Sequence, residues 1–142
     1  MSHNLPTHPS VDELDAFQLS FGPHDSGYLR GHYVRYVSTK AELMTTWPQS
    51  RGNRVLDVGG HWLHQAALYA LDGFEVTSAD LAATFELERV QQFAQALGIK
   101  LLTETDLEKA QVLAQLPENS FDLILFSEII EHITFNPVAM WK

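Results

Sequence analysis

The sequence predicts an α/β fold with a doubly wound parallel sheet and helices at its N-terminal end. Between residues 54 and 116, strand-like apolar runs alternate with patterns of helical spacing, and a fourth apolar run, FDLILF, follows at 121–126. Such alternation is typical of a parallel sheet covered by helices. A chain of 142 residues is long enough for one such domain. We assign an N-terminal helical segment to residues 1–50 and the α/β domain to residues 51–142.

Composition excludes several classes of protein. The formal net charge is -9, and from Asp72 onward twelve acidic residues stand against four basic ones. Nucleic-acid backbones are bound by clustered Lys and Arg, so we expect no nucleic-acid partner. The absence of cysteine rules out disulfides and thiolate metal sites. No apolar run approaches a membrane span and no signal peptide is evident, so we expect a cytoplasmic protein.

Two capping boxes predict helices in the first 50 residues. Ser10 with Glu13 opens one helix, and a break follows at 21–23. Thr39 with Glu42 opens another, which Pro48 ends.

Between these boxes, residues 27–37 concentrate aromatic and basic side chains in the sequence GYLRGHYVRYV. They fit an amphipathic helix whose aromatic residues pack on the domain while the arginines lie in water. A second interpretation is a lid over a ligand cleft, in which Tyr28, Arg30 or His32 reaches the bound ligand.

Residues 54–80 form the most informative stretch and predict half of a nucleotide-binding site. A buried strand at 54–58 leads into Gly59 and Gly60, where the backbone can take positive φ and a ligand can approach closely. A helical pattern begins at His61, and a second strand ends at Asp80. An acidic residue about 20 positions beyond the glycines is placed to accept hydrogen bonds from ribose hydroxyls.

The remaining elements follow the same alternation. Gly73 and Gly98 stand where left-handed helix caps belong, after the first helix and after a helix predicted at 84–97. A third strand is expected at 99–103, and a short helix at 107–116.

The acidic residue before the glycines indicates which nucleotide is bound. Asp57 would repel a pyrophosphate but favours an ammonium group. Here the chain resembles the class I S-adenosylmethionine-dependent methyltransferases, whose first motif is an acidic residue followed by G-x-G-x-G. The resemblance implies a Rossmann-like fold in which Asp57, Gly59 and Gly60 lie against the methionine end of the cofactor and Asp80 holds its ribose. His61 and Leu63 replace the second and third glycines of the motif, which makes the loop bulkier.

The same resemblance implies further cofactor-binding residues. Asp106, just after the third strand, matches the acidic residue that bonds the adenine amino group, although it is also suited to cap the helix predicted after it. Leu81, Leu107 and Ser127 complete the expected cofactor set.

A second motif, Ser127-Glu128-Ile129-Ile130-Glu131-His132, comes at the end of the fourth strand. Glu128, Glu131 and His132 have the spacing of one helical face, and two carboxylates with an imidazole suit Mg²⁺ or Mn²⁺. The pattern resembles that of metal-dependent O-methyltransferases, which implies O-methylation of a small molecule. His132 is alternatively the general base for a substrate hydroxyl, and in a third interpretation Glu131 and His132 only shape the cleft floor.

The family fold continues through further strands that this sequence does not contain. We therefore expect an incomplete class I methyltransferase fold with an exposed sheet edge, which invites a second copy or another partner. One alternative function is a non-catalytic fragment or pseudo-methyltransferase that binds partners through this edge. Another is an NAD-dependent oxidoreductase domain, which the weak glycine match and Asp57 disfavour.

Overall fold

Four parallel strands form a sheet in residues 5–129, the part of the chain that the computed structural model describes. They are β1 (Arg54–Val58), β2 (Glu75–Leu81), β3 (Lys100–Glu104) and β4 (Leu123–Leu125), in the order β3-β2-β1-β4. The α/β class with an all-parallel sheet is confirmed, and it is compatible with an incomplete Rossmann-like fold. Because the strand order reverses between β1 and β4, a crevice is expected outside the carboxyl ends of these two strands.

Five α-helices accompany the sheet in the described residues. They are α1 (Val11–Leu19), α2 (Ser26–Thr46), α3 (His64–Leu71), α4 (Ala82–Phe85) and α5 (Glu88–Leu97). Helices α1 and α2 precede the sheet, in agreement with the predicted fold class with N-terminal helices. None of the five is long and apolar enough to cross a membrane.

The N-terminus of α1 has the predicted capping box. The Glu13 N–H donates to Ser10 Oγ at 3.3 Å, and the Ser10 N–H donates to Glu13 Oε2 at 2.7 Å. Two of the backbone donors that a helix start leaves unpaired are thereby satisfied.

Helix α2 is continuous, so the helix start predicted at Thr39 is wrong. The helix begins at a different cap, Asp25, whose Oδ1 accepts from the Tyr28 N–H at 2.8 Å. No glycine or proline interrupts residues 32–47, and the buried Lys40 amino group pairs with Asp72 Oδ2 at 2.7 Å. This ion pair holds the middle of α2 against the end of α3.

Two other predicted helices are shorter than expected. The one predicted at 84–97 is divided, because Leu87 is extended with ψ 125° between α4 and α5. The one predicted at 107–116 is wrong except for a 3-10 turn at Leu113–Gln115. Ala110 with φ 47° interrupts it, and the buried Glu104 carboxylate accepts the Leu113 N–H at 2.7 Å. This hydrogen bond holds Leu113 near the end of β3, so the intervening residues do not form a continuous helix.

Apolar side chains cover both faces of the sheet. Val55 and Leu56, adjacent in β1, belong to different clusters because successive strand residues point to opposite faces. The larger cluster joins the sheet to the helices through residues such as Leu14, Leu29, Ala67, Val76 and Phe93. The smaller cluster is closed by the segment after β3, through Leu107, Leu113 and Phe121.

Two glycines in helices offer a matched test of backbone conformation. Gly98 caps α5 with φ 69°, whereas Gly31 lies inside α2, and a Cβ atom would meet no other atom within 4 Å at either position. We expect Gly98→Ala to lower the free energy of unfolding by about 1 kcal/mol, because the left-handed region strains an L-residue. Gly31→Ala should raise it by about 0.5–1 kcal/mol. Urea denaturation of both variants checks this, and equal effects would contradict the assigned cap.

Candidate functional site

Two adjoining cavities open at the carboxyl ends of β1, β2 and β4. The outer cleft encloses about 610 Å³ and the inner cavity about 30 Å³. Tyr28, Gly59, Ser127 and Glu128 line both. All eight predicted cofactor-binding residues lie at these cavities: the outer cleft is lined by Gly59, Asp80, Leu81, Asp106, Leu107 and Ser127, and the inner cavity by Asp57, Gly59, Gly60 and Ser127.

Asp80 connects the loop after β1 to the end of β2. Its Oδ2 accepts the His61 N–H at 2.7 Å, and its Oδ1 accepts the Leu81 N–H at 2.7 Å. Each carboxylate oxygen has a second lone pair, so Asp80 can still accept hydrogen bonds from a ligand hydroxyl in the outer cleft.

The sequence pattern suggested that a helix begins at His61. In the structure, the loop between β1 and α3 is not helical at this residue. His61 and Leu63 have φ of 47° and 66°, and α3 begins only at His64. These are the two positions where the resembled motif has glycine, and the chain takes the glycine-like backbone there with larger side chains. Such a conformation costs about 1–2 kcal/mol per L-residue. Burial of Leu63, which is fully inaccessible, offsets part of this cost.

Gly59 and Gly60 are required by contacts inside the protein. A Cβ atom on Gly60 would overlap Ser78 Oγ, and one on Gly59, where φ is 78°, would overlap the Ile129 side chain. Both N–H groups donate to the Ala79 carbonyl, at 2.7 Å from Gly59 and 3.4 Å from Gly60. These two donors are thus engaged by β2, and the glycines bring the loop close to that strand.

Asp57 is a buried carboxyl group at the wall of the inner cavity, with 4% of its surface exposed. Burial raises its pKa to about 7, against the effect of the Ser78 hydroxyl, and the nearby Asp80 raises it further. The Ser78 hydroxyl lies 3.4 Å from Asp57 Oδ2. A cation in the inner cavity would favour the ionised form, so the site is suited to an ammonium group.

Asp106 lies in the outer cleft and also stabilises the turn that follows β3. Its Oδ1 accepts the Glu108 N–H at 2.9 Å, while Oδ2 lies 3.6 Å from Lys109 Nζ. The capping interpretation therefore applies to a turn instead of a helix. Asp106 Oδ2 has lone pairs left for a ligand donor.

The predicted metal ligand Glu128 is paired with α2. Arg35 Nη1 forms an ion pair with Glu128 Oε1, and His32 Nε2 lies 3.9 Å from Oε2. Glu131 and His132, the other residues of the metal hypothesis, lie outside the described residues. Within 5–129, no three His, Cys, Asp or Glu side chains are grouped as metal ligands.

Helix α2 contributes more to the site than the sequence indicated. Tyr28 lines both cavities and Arg35 lines the inner one, whereas Arg30 pairs with Asp12 and Asp15 of α1. Because Arg35 is 93 residues from Glu128 in the sequence, no local sequence pattern predicts their ion pair.

A row of buried side chains behind the inner cavity was also not predicted from the sequence. His64 lines the cavity, and its Nε2 lies 3.1 Å from His24 Nδ1. His24 Nε2 in turn lies 3.0 Å from Asp15 Oδ1. Burial lowers the pKa of His64 to about 3, and the neighbouring His24 and His61 lower it further, so the ring is neutral.

The charge of the residues that line the outer cleft determines which class of ligand it can bind. Asp80, Asp106, Glu108 and Glu128 line it, and the described lining residues include no Lys or Arg. A phosphate would meet carboxylates there, whereas a neutral or cationic ligand fits. No protein-family model, curated protein or solved structure matches this chain.

The burial of Asp57 predicts a pH-dependent cost to stability. A pKa raised from 3.8 to about 7 means that the folded protein loses stability as pH rises between these values. Asp57→Asn removes this loss, so its stability relative to the parent should increase from pH 4 to pH 8, by at most about 4 kcal/mol. Chemical denaturation at several pH values measures the difference.

Asp122→Asn, directly before β4, is the matched control. Hydrogen bonds from Arg54 lower the Asp122 pKa to about 2, so this stabilisation is nearly complete at pH 4 and complete from about pH 5. The effect of Asp122→Asn should therefore change little between pH 4 and pH 5 and stay constant from pH 5 to pH 8. A constant difference for Asp57→Asn as well would mean that Asp57 is ionised throughout this range.

Proposed function

We propose that this chain is an S-adenosylmethionine-dependent methyltransferase domain that methylates an oxygen of a small molecule. The observation that carries the proposal is the placement of three carboxyl groups around adjoining cavities. Asp57 lies in β1, Asp80 in β2, and Asp106 two residues beyond β3. The carboxyl ends of neighbouring parallel strands are where open α/β sheets bind nucleotides.

The chemistry of these groups favours a sulfonium nucleoside over a dinucleotide. Asp80 and Asp106 offer acceptors to ribose hydroxyls and to an adenine amino group, and the outer cleft has the volume of a small-molecule site. Asp57 offers an acceptor to an ammonium group at the inner cavity. Arg35, which pairs with Glu128 at the same cavity, has further guanidinium N–H groups that can donate to a carboxylate. An acid and a base at one small cavity suit the zwitterionic end of an amino acid. The pyrophosphate of NAD has no such counterpart among these residues.

When bound, S-adenosylmethionine supplies an electrophilic methyl group on a sulfonium sulfur. The contribution of the chain is to orient the acceptor oxygen in line with that methyl group and to exclude water. We assign His132 as the general base for the acceptor hydroxyl or, alternatively, as a ligand of Mg²⁺ together with Glu128 and Glu131. These two assignments rest on the E-x-x-E-H pattern of the sequence.

Calorimetry with S-adenosylhomocysteine tests cofactor binding directly. We expect the 142-residue chain to bind this product and not NAD, with no requirement for Mg²⁺. Asp80→Ala should weaken binding at least about tenfold, since hydrogen bonds between a charged group and its partner contribute about 1.5–3 kcal/mol.

Asp12→Ala is the control, because Asp12 is an exposed carboxylate that pairs with Arg30 away from the cavities. It should leave the affinity unchanged. Binding of NAD by a folded protein, or undiminished binding by Asp80→Ala, would contradict the proposal.

A second candidate function is partner binding through β4. In the described residues β4 pairs only with β1, and the Ile124 side chain is 59% exposed. An apolar residue at the outer strand of a sheet is suited to contact with another chain. The partner that we propose is a second copy of this chain.

Sedimentation velocity distinguishes this candidate. A dimer that Ile124→Lys dissociates would support it. Val34→Lys is the control, since this apolar residue is 75% exposed and lies in α2, not in β4. A monomer at all concentrations would contradict the candidate without affecting the cofactor proposal.

A further inference from the structure

The residue between the two left-handed positions of the β1–α3 loop is held by side chains from two helices. Trp62 lies between His61 and Leu63, whose φ angles are 47° and 66°. Its carbonyl oxygen accepts a hydrogen bond from Gln18 Nε2 of α1 at 2.7 Å. Arg89 Cζ of α5 lies 5.4 Å from the centre of its indole ring. The backbone and the ring of Trp62 are therefore both in contact with groups outside the loop.

The hydrogen bond from Gln18 fixes the orientation of the peptide group between Trp62 and Leu63. At one end of this group Gln18 binds the carbonyl oxygen, and at the other end the Leu63 N–H donates to the Gly60 carbonyl at 2.7 Å. Rotation of the peptide group by half a turn would break both bonds and give Leu63 a negative φ, which an L-residue prefers. The two hydrogen bonds therefore hold Leu63 in the left-handed conformation against its own preference.

The chemistry of the contact determines which way the Gln18 amide faces. A carbonyl oxygen accepts and cannot donate, so the amide group next to the Trp62 carbonyl is the NH₂. Gln18 is 3% exposed, and its Oε1 is buried with no hydrogen-bond donor among the described residues. A buried acceptor without a partner lowers stability. The Gln18 side chain is thus better suited to hold the loop than to stabilise the fold as a whole.

The loop conformation that Gln18 maintains is the one that shapes the ligand site. The His61 N–H donates to Asp80 Oδ2 at 2.7 Å, and both residues line the outer cleft, while Gly60 lines the inner cavity. Gln18 lines neither cavity, so it acts on the site only through the loop. Because Leu63 is not a glycine, its left-handed backbone needs such support from outside the loop.

We propose that Gln18 is a positioning residue of the ligand site, whose hydrogen bond to the Trp62 carbonyl keeps the β1–α3 loop in the shape that the two cavities require. The effect on binding rests on the proposed function, because it takes the ligand to be S-adenosylmethionine. The effect on the loop does not, and it is measured in the protein without a ligand.

Hydrogen exchange of the Leu63 amide, followed by NMR, tests the effect on the loop. Gln18→Met removes the donor and the unpartnered Oε1 together, so the free energy of unfolding should change little. The Leu63 N–H should exchange about two to ten times faster, the factor that one net hydrogen bond contributes. The amides of β1 should keep their rates, because only the loop is released. Unchanged exchange at Leu63 would overturn the inference, whether or not a ligand binds.

Gln91→Met is the matched control. The Gln91 Nε2 donates to a backbone carbonyl in the same way, to Phe85 at 3.1 Å, but outside the loop. This variant should leave the exchange of the Leu63 amide at the parent's rate.

Gln18→Glu turns the same contact into a pH-dependent one. A protonated carboxyl group can donate to the Trp62 carbonyl, whereas an ionised carboxylate only accepts and would be repelled. Relative to the parent at the same pH, Leu63 should therefore exchange at a similar rate at pH 5 and faster at pH 8. An equal ratio at both pH values would contradict a role for this hydrogen bond.

Calorimetry with S-adenosylhomocysteine tests the effect on binding. Gln18→Met should weaken binding about twofold to tenfold, and Gln91→Met should leave the affinity unchanged. If Leu63 exchanges faster in Gln18→Met but the affinity equals that of the parent, the positioning role is wrong, while the cofactor assignment stands. If the parent does not bind, the proposed function fails and the role of Gln18 in binding fails with it.

Discussion

The structure of the candidate site depends on the hydrogen bonds between the β1–α3 loop and the end of β2. The N–H groups of Gly59 and Gly60 reach the Ala79 carbonyl, and the N–H of His61 reaches the Asp80 carboxylate. These contacts leave no space for a Cβ atom on Gly60 beside Ser78, and they hold His61 in a left-handed conformation. Residues of the same loop line both the outer cleft and the inner cavity, so these bonds contribute to the shape of both.

Burial of charge at this loop connects stability with binding. Asp57 is inaccessible because β1 is the central strand between β2 and β4, and its raised pKa is the consequence. At neutral pH the buried Asp57 carboxyl group therefore lowers the stability of the unliganded folded protein. A cationic ligand offsets this loss because it pairs with the ionised carboxylate. Strain at His61 and Leu63 is located in the same few residues, as is common where a backbone is shaped for a ligand. The ligand class that we propose agrees with both features.

The N-terminal helices contribute residues to the candidate site, as the sheet does. Tyr28 and Arg35 of α2 line the cavities, and the Asp15–His24 pair continues the inner wall through His64. Lys40 paired with Asp72 anchors the same helix against α3. These contacts fix α2 to the α/β unit and thereby position Tyr28 and Arg35 at the cavities.

The sequence by itself determined the α/β class, the parallel sheet, the Ser10–Glu13 capping box and the glycine caps, because these follow from periodicity and from contacts between near neighbours. It also identified eight residues that do meet at two adjoining cavities, since parallel strands bring their carboxyl ends to one edge. Tertiary structure alone decided the continuous α2, the lost helix after β3, the pairing of Arg35 with Glu128 and the row from Asp15 to His64. The Arg35–Glu128 and His24–His64 contacts join residues 93 and 40 positions apart, and the Lys40–Asp72 ion pair joins residues of α2 and the end of α3. Contacts between such distant residues form only when the chain folds.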